Sequence, residues 1–160
     1  DSAHHWLGLR KPLAAVAGGG IYHFKDGRDT PDVLSCILDY PQEVSVTFNA
    51  ECLTANGINT SAGVELRGTG GVLRAERYAP DAGYSFTPHR KTGTAPADVR
   101  MPATNAEFIL KNWLERIRDR KKTVANEDEG YYSAVACYMA NQALRTKSRV
   151  VWDRRWDLPV

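Results

Sequence analysis

Asp1 and His5 are the two residues whose types and spacing best suit proton transfer. If Asp1-Ser2-Ala3-His4-His5-Trp6-Leu7-Gly8 is helical, a separation of four stacks the carboxylate and the imidazole on one face, one turn apart. A carboxylate beside an imidazole fixes its tautomer and raises its basicity, so the pair could take a proton from a substrate hydroxyl near neutral pH. The same spacing also describes an N-cap aspartate followed by a partly buried histidine. Spacing alone leaves both readings open.

Other chemistry finds less support. Cys36, Cys52 and Cys137 form no Cys-x-x-Cys pair, and each sits among apolar neighbours. Free buried thiols are expected rather than disulfides or zinc ligands. His4, His5, His23 and His89 show no metal-ligand spacing with them, so no metal site is expected. Asp1, His5 and a serine such as Ser2 or Ser35 could in principle serve a hydrolase, but no Gly-x-Ser-x-Gly elbow is present. Gly18-Gly19-Gly20 invites a phosphate-loop reading, yet no lysine, serine or helix start follows in register. A bulge or flexible exit fits better.

The composition is that of a soluble globular chain. Its 160 residues are 42% hydrophobic and 25% charged, with a formal net charge of +2. That balance makes no case for nucleic acid or membrane partners. No apolar run approaches the roughly 18 residues of a membrane span, and no signal peptide is read. One domain covering residues 1–160 is expected, long enough to bury a substantial core. Because the chain opens on a helix-like Asp1, a preceding segment is expected, and localisation is left open between cytoplasmic and exported.

The elements that must position the candidate pair follow from periodicity. Residues 13–19 read as a first strand, and Ile21 to Pro31 as a loop. Val33 to Tyr40 and Val44 to Cys52 are the clearest strands, joined by a turn at Pro41-Gln42-Glu43. The second alternates, with Val44, Val46, Phe48, Ala50 and Cys52 on a core face and Ser45, Thr47, Asn49 and Glu51 opposite. Leu53 to Ala62 is a polar turn region containing Asn56-Gly57. Gly63 to Arg67 and Val72 to Tyr78 form a hairpin across Gly68-Thr69-Gly70-Gly71. A dinucleotide fingerprint there would need a helix to follow, and the sequence alternates as a strand instead.

Tyr78 to Pro102 reads as a long loop. Within it His89, Arg90 and Lys91 could meet an anionic or polyol substrate, a partner subunit, or only water. Thr104-Asn105-Ala106-Glu107 is a capping box opening a helix to about Arg120, with Leu110, Trp113, Leu114 and Ile117 on one face. Its basic end, through Lys122, complements the helix dipole. Asn126 to Glu129 opens a second helix, striped by Tyr132, Val135, Ala136, Met139 and Ala143 and ending near Arg145. Arg149 to Asp153 closes as a short strand, with Trp156 packing the tail. Five or six mainly antiparallel strands with helices on one face give an α+β fold with an open-faced sheet.

The order of motifs resembles one family. Asp1, His5, the Leu7-Gly8 pair and the Lys11-Pro12 exit resemble the segment that opens the C-terminal domain of the Gfo/Idh/MocA family of NAD(P)-dependent oxidoreductases. Asp26-Gly27-Arg28-Asp29-Thr30-Pro31-Asp32 is similar to the loop before a central strand of that domain. Glu65 to Leu73 resembles its Gly-Thr-x-Gly-x-Leu hairpin, and Asn112 to Lys122 its Asn-Phe-Leu-Asp-x-Ile-Arg helix end. Glu129-Gly130 and Val151-Trp152-Asp153 also fit, so the likeness spans nearly the whole chain. Trp113 stands where phenylalanine is usual, Ile109 where histidine is frequent, and Thr123 where proline usually follows the basic run.

The resemblance implies a dehydrogenase acting on a sugar, cyclitol or related polyol, with NAD or NADP as cofactor in a longer parent protein. His5 would remove the hydroxyl proton and Asp1 would orient it, while Arg28, His89 and Arg90 are candidate substrate contacts. The nucleotide-binding half is not in this chain, which is therefore expected to bind neither cofactor tightly and to be inactive alone. The resemblance further implies a homo-oligomer through the open face of the sheet around Val33 to Cys52. A non-catalytic binding or assembly module is the alternative.

Overall fold

A computed structural model describes residues 2–52, 63–76, 84–89 and 106–159. They fall into two compact units, one built from residues 1–56 and 125–160 and the other from residues 57–124. Every strand pairing among the described residues is antiparallel.

The first unit opens with helix α1 (Ser2–Leu7) and continues through β1 (Ala14–Gly20), β2 (Val33–Tyr40) and β3 (Val44–Glu51). Its later segment contributes a long helix, Glu127–Thr146, and a two-residue strand, Val150–Val151, which pairs with the outer side of β1. The sheet order runs β3, β2, β1 and then this last strand. Strand β1 begins at Ala14 rather than Leu13, and the closing strand is shorter than the expected Arg149 to Asp153.

Period-two alternation on β2 places Cys36, Leu38 and Tyr40 on the face covered by the long helix, where all three are buried. That helix answers with Tyr132, Val135, Ala136, Met139, Ala140 and Ala143, spaced three and four apart. Asn126 caps it, accepting the N–H groups of Asp128 at 3.0 Å and Glu129 at 3.3 Å, and three acidic residues fill its first turn. Leu9, Ala15, Leu38, Tyr40, Val135, Ala136 and Met139 form the core of this unit.

The expected core face of β3 is only partly covered. Val44 and Val46 pack against the core, but Phe48 is 51% exposed and Cys52 is exposed, because alternation fixes a face and not how far the covering helix reaches along it. Cys137 is exposed too, on the flank of the long helix beside buried Ala136, so only Cys36 is the buried thiol expected. The opposite sheet face carries Val16, Ile37 and Thr47 in one row of cross-strand neighbours, flanked by Ser45 and Asn49. It is open, with Val16 and Ile37 both exposed.

The second unit holds the meander β4 (Gly63–Gly68), β5 (Gly71–Glu76) and β6 (Tyr84–Pro88), followed by helix α2 (Ala106–Asp119). Gly68 to Gly71 is thus a strand-to-strand turn. Gly71 has φ +151°, and a Cβ there would strike the Thr87 carbonyl oxygen of β6. Strand β6 lies inside the segment expected to be loop; its alternating Tyr-Ser-Phe-Thr is a strand signal that the surrounding prolines obscured. Arg120 adopts φ +58° just past α2, and the Asn112 carboxamide oxygen accepts the Val124 N–H at 3.1 Å. The expected capping residues Thr104 and Asn105 lie outside the described residues. Trp113 and Leu114 remain half exposed.

Hereafter the helix Glu127–Thr146 is α3 and the strand Val150–Val151 is β7.

Candidate functional site

Helix α1 is only six residues long, well below the length at which a helix holds itself together in water. Tertiary contacts must therefore fix it. At its end Gly8 takes φ +61°, and the Leu9 N–H bonds back to the His4 carbonyl at 3.0 Å. This is a Schellman cap, with glycine at the left-handed position and the next residue, Leu9, buried in the core.

His4 is the buried member of the histidine pair, 4% exposed. Its Nε2 lies 2.6 Å from the hydroxyl of Tyr40 on β2, and its Nδ1 lies 3.4 Å from the Ser133 hydroxyl on α3. The His4 and Tyr40 rings meet edge-on with centroids 5.5 Å apart. Burial holds the His4 pKa below the ordinary histidine value, with Glu129 opposing the shift, and burial also pushes the Tyr40 hydroxyl up. Both groups are therefore neutral near pH 7. A neutral imidazole has one N–H, so it donates to one hydroxyl and accepts from the other.

His5, one residue on and about 100° further around the helix, is exposed. The adjacent histidines thus differ in environment: His4 is buried and hydrogen-bonded, and His5 is exposed. Asp1, its candidate partner, lies outside the described residues.

The other candidates belong to other parts of the chain. Arg28 sits in the loop between β1 and β2, where its Nε donates to Asp26 Oδ1 at 2.8 Å and its guanidinium lies 4.3 Å from the Phe24 ring centroid. Hydrogen bonding from Arg28 lowers the Asp26 carboxyl to about 2. Among the described residues no hydrogen bond or ion pair joins Arg28 to His5. His89 belongs to the second unit, where its N–H bonds to the Gly70 carbonyl at 3.0 Å, and its side chain is exposed. Arg90 lies outside the described residues.

Sequence reasoning passed over two residues here. Asp32, only 2% exposed, accepts the N–H groups of Tyr22, His23 and Phe24 at 2.8, 2.9 and 3.0 Å, so its carboxylate ties the start of the β1–β2 loop to its end. Its position at the end of Asp26 to Asp32 was the available signal. His4 gave none, since its partners lie 36 and 129 residues away.

Among the described residues no group of three or more histidine, cysteine, aspartate or glutamate side chains could hold a metal ion. No described helix is long and apolar enough to cross a membrane.

Neither protein-family models nor curated proteins provide a match. Solved structures do. An aldose-aldose oxidoreductase from Caulobacter crescentus, complexed with glycerol, matches with a TM-score of 0.73 at 14% identity, over 94% of this chain and 44% of its own. An oxidoreductase from Agrobacterium radiobacter, in complex with NAD+ and L-tartaric acid, matches at 0.66 and 14%, over 93% and 45%. The WlbA dehydrogenase from Bordetella pertussis, in complex with NADH and UDP-GlcNAcA, matches at 0.66 and 14%, over 89% and 41%. The chain spans a little under half the length of the solved structures it matches, and at these identities the likeness is one of fold.

Proposed function

From the premise that this chain has the fold of the C-terminal domain of Gfo/Idh/MocA-type oxidoreductases, we propose that it is the substrate-binding and assembly half of an NAD(P)-dependent dehydrogenase acting on a sugar, cyclitol or related polyol. The observation that carries the reading is α1: a clamped short helix that buries His4 and leaves His5 open. In this role His5 accepts the substrate hydroxyl proton, and Asp1 orients the imidazole and steadies its charge.

A bound nicotinamide would supply the hydride acceptor. The Gly68 to Gly71 turn joins two strands with no helix N-terminus after it, so this turn is not the dinucleotide fingerprint that would hold its pyrophosphate. Cofactor binding is accordingly assigned to a further, nucleotide-binding domain of the parent. Arg28 is proposed as a substrate contact from its place in the Asp26 to Asp32 loop, and His89 and Arg90 from their polar side chains in the Tyr78 to Pro102 segment.

The row of Val16, Ile37 and Thr47 supports the second half of the reading, assembly of a homo-oligomer on the open sheet face. The same row would serve a purely structural assembly module, and turnover separates the two. Calorimetric titration with NAD, NADH and NADPH is expected to show binding by a two-domain parent and none by these 160 residues. Polyol turnover by the parent should vanish in His5→Ala. Unchanged turnover in that variant would remove His5 from the chemistry, and tight binding by the 160 residues would overturn the domain assignment.

A further inference from the structure

We propose that His4 is a positioning residue: by joining β2 to α3 through its two ring nitrogens, it fixes the rotation of α1 and hence the direction in which His5 is presented. The catalytic consequence rests on the function proposed above, whereas the clamp itself does not.

Six residues supply too few internal hydrogen bonds for α1 to hold its own orientation. The Schellman cap at Gly8 and Leu9 anchors its C-terminal end but leaves rotation about its axis to the side chains that face inward. Ala3 packs against the core and is too small to resist rotation. His4 is different. Its ring reaches Tyr40 on the sheet on one side and Ser133 on the covering helix on the other, so a turn of α1 in either direction breaks one contact. Successive residues are about 100° apart around a helix, so holding His4 inward holds His5 at the surface.

Chemistry reinforces the geometry. The buried ring is kept neutral and its two partners are neutral hydroxyls, so the clamp brings no formal charge close to the His5 imidazole. An apolar side chain at residue 4 would bury as well, but would leave the Tyr40 hydroxyl without its partner and the helix free to slip.

Hydrogen exchange on the 160-residue chain tests the clamp. Tyr40→Phe and Ser133→Ala keep the packing and remove one contact each. The Trp6, Leu7 and Leu9 amides are expected to exchange about tenfold faster in Tyr40→Phe, while the amides of β1 and β2 keep their wild-type rates. His4→Gln, whose carboxamide can still reach the Tyr40 hydroxyl, should restore most of the protection that His4→Leu loses. Equal acceleration of α1 and the sheet would mean general destabilisation and would overturn the proposal, as would no acceleration at all.

In a two-domain parent that turns over a polyol, Tyr40→Phe should lower kcat about tenfold with KM nearly unchanged, because a displaced base costs the chemical step more than binding. An unchanged kcat beside accelerated α1 exchange would overturn the link from clamp to catalysis. Persistent turnover in His5→Ala would instead sink the catalytic reading and leave the clamp standing on the exchange data.

Discussion

The Asp32 carboxylate accepts the backbone N–H of Tyr22 at 2.8 Å, ten residues back along the chain. Together with the N–H groups of His23 and Phe24, that bond lowers the carboxyl from 3.8 to about 2. The folded state therefore holds its proton more weakly than the unfolded chain does. The stabilisation is present above about pH 4 and is lost as pH falls toward 2. Asp32→Asn replaces one acceptor oxygen by an NH2 that faces backbone donors. It should lower Tm by about 5 °C or more at pH 7 and shallow the decline of stability between pH 4 and pH 2, both read by thermal melts across pH.

Gly19 should not tolerate a side chain. Its φ is +141°, and a Cβ would strike the Val33 carbonyl oxygen on β2. Gly19→Ala combines a disfavoured backbone with a clash against main chain, at a cost of about 2 kcal/mol or more. Urea denaturation should show a lower midpoint with an unchanged m-value. Gly18→Ala, where a Cβ meets nothing within 4 Å, is the matched control and should cost distinctly less.

His4 should make the domain sensitive to mild acid. Its folded-state pKa is lowered below 6.5 by burial, so the unfolded chain takes up a proton that the folded chain refuses. Stability due to this group is complete above about pH 6.5 and falls as pH drops below it. In His4→Gln the loss of stability from pH 7 to pH 5 should flatten, even though the variant is less stable at pH 7. A slope identical to wild type would show that the proton goes elsewhere.

A second copy of the chain on the open sheet face would desolvate Val16 and Ile37. Val16→Lys or Ile37→Lys would then bury an unpaired ammonium at the interface. Sedimentation velocity should show an oligomer for the wild type, weakened at least about tenfold in dissociation constant by either lysine. A wild-type monomer, or equal assembly in all three proteins, would rule this face out.

The parts of the fold that were legible in the sequence are those set by local pattern. Tyr132 to Ala143 carries a helical stripe, Asn126 a cap signal, β3 a clean alternation and β2 an apolar run suited to a central strand, and each element appears where its pattern places it. What alternation could not supply is extent: Phe48 lies on the correct face yet beyond the cover of α3. Strand β6 was hidden because Pro88 and its neighbours weigh against a strand, although a proline can close an edge strand without disrupting it. At the candidate site, the four-residue spacing pointed to His5. The contacts that would hold it in place could not be read, because Tyr40 and Ser133 reach His4 only after the sheet and α3 have assembled.

The first unit is drawn from two stretches of chain, and this sets the sequence separation that its contacts must span. The meander β4-β5-β6 pairs neighbours along the sequence, so closing it costs little loop entropy. The pairing of β7 with β1, Val150 beside Ala15, instead joins one stretch to the other across a very long intervening segment. Because the entropy of closing a loop rises only slowly with its length, the residues between are cheap to carry but slow to bridge. The His4 clamp likewise needs Ser133 from the second stretch, so the candidate site depends on both stretches together and on neither alone.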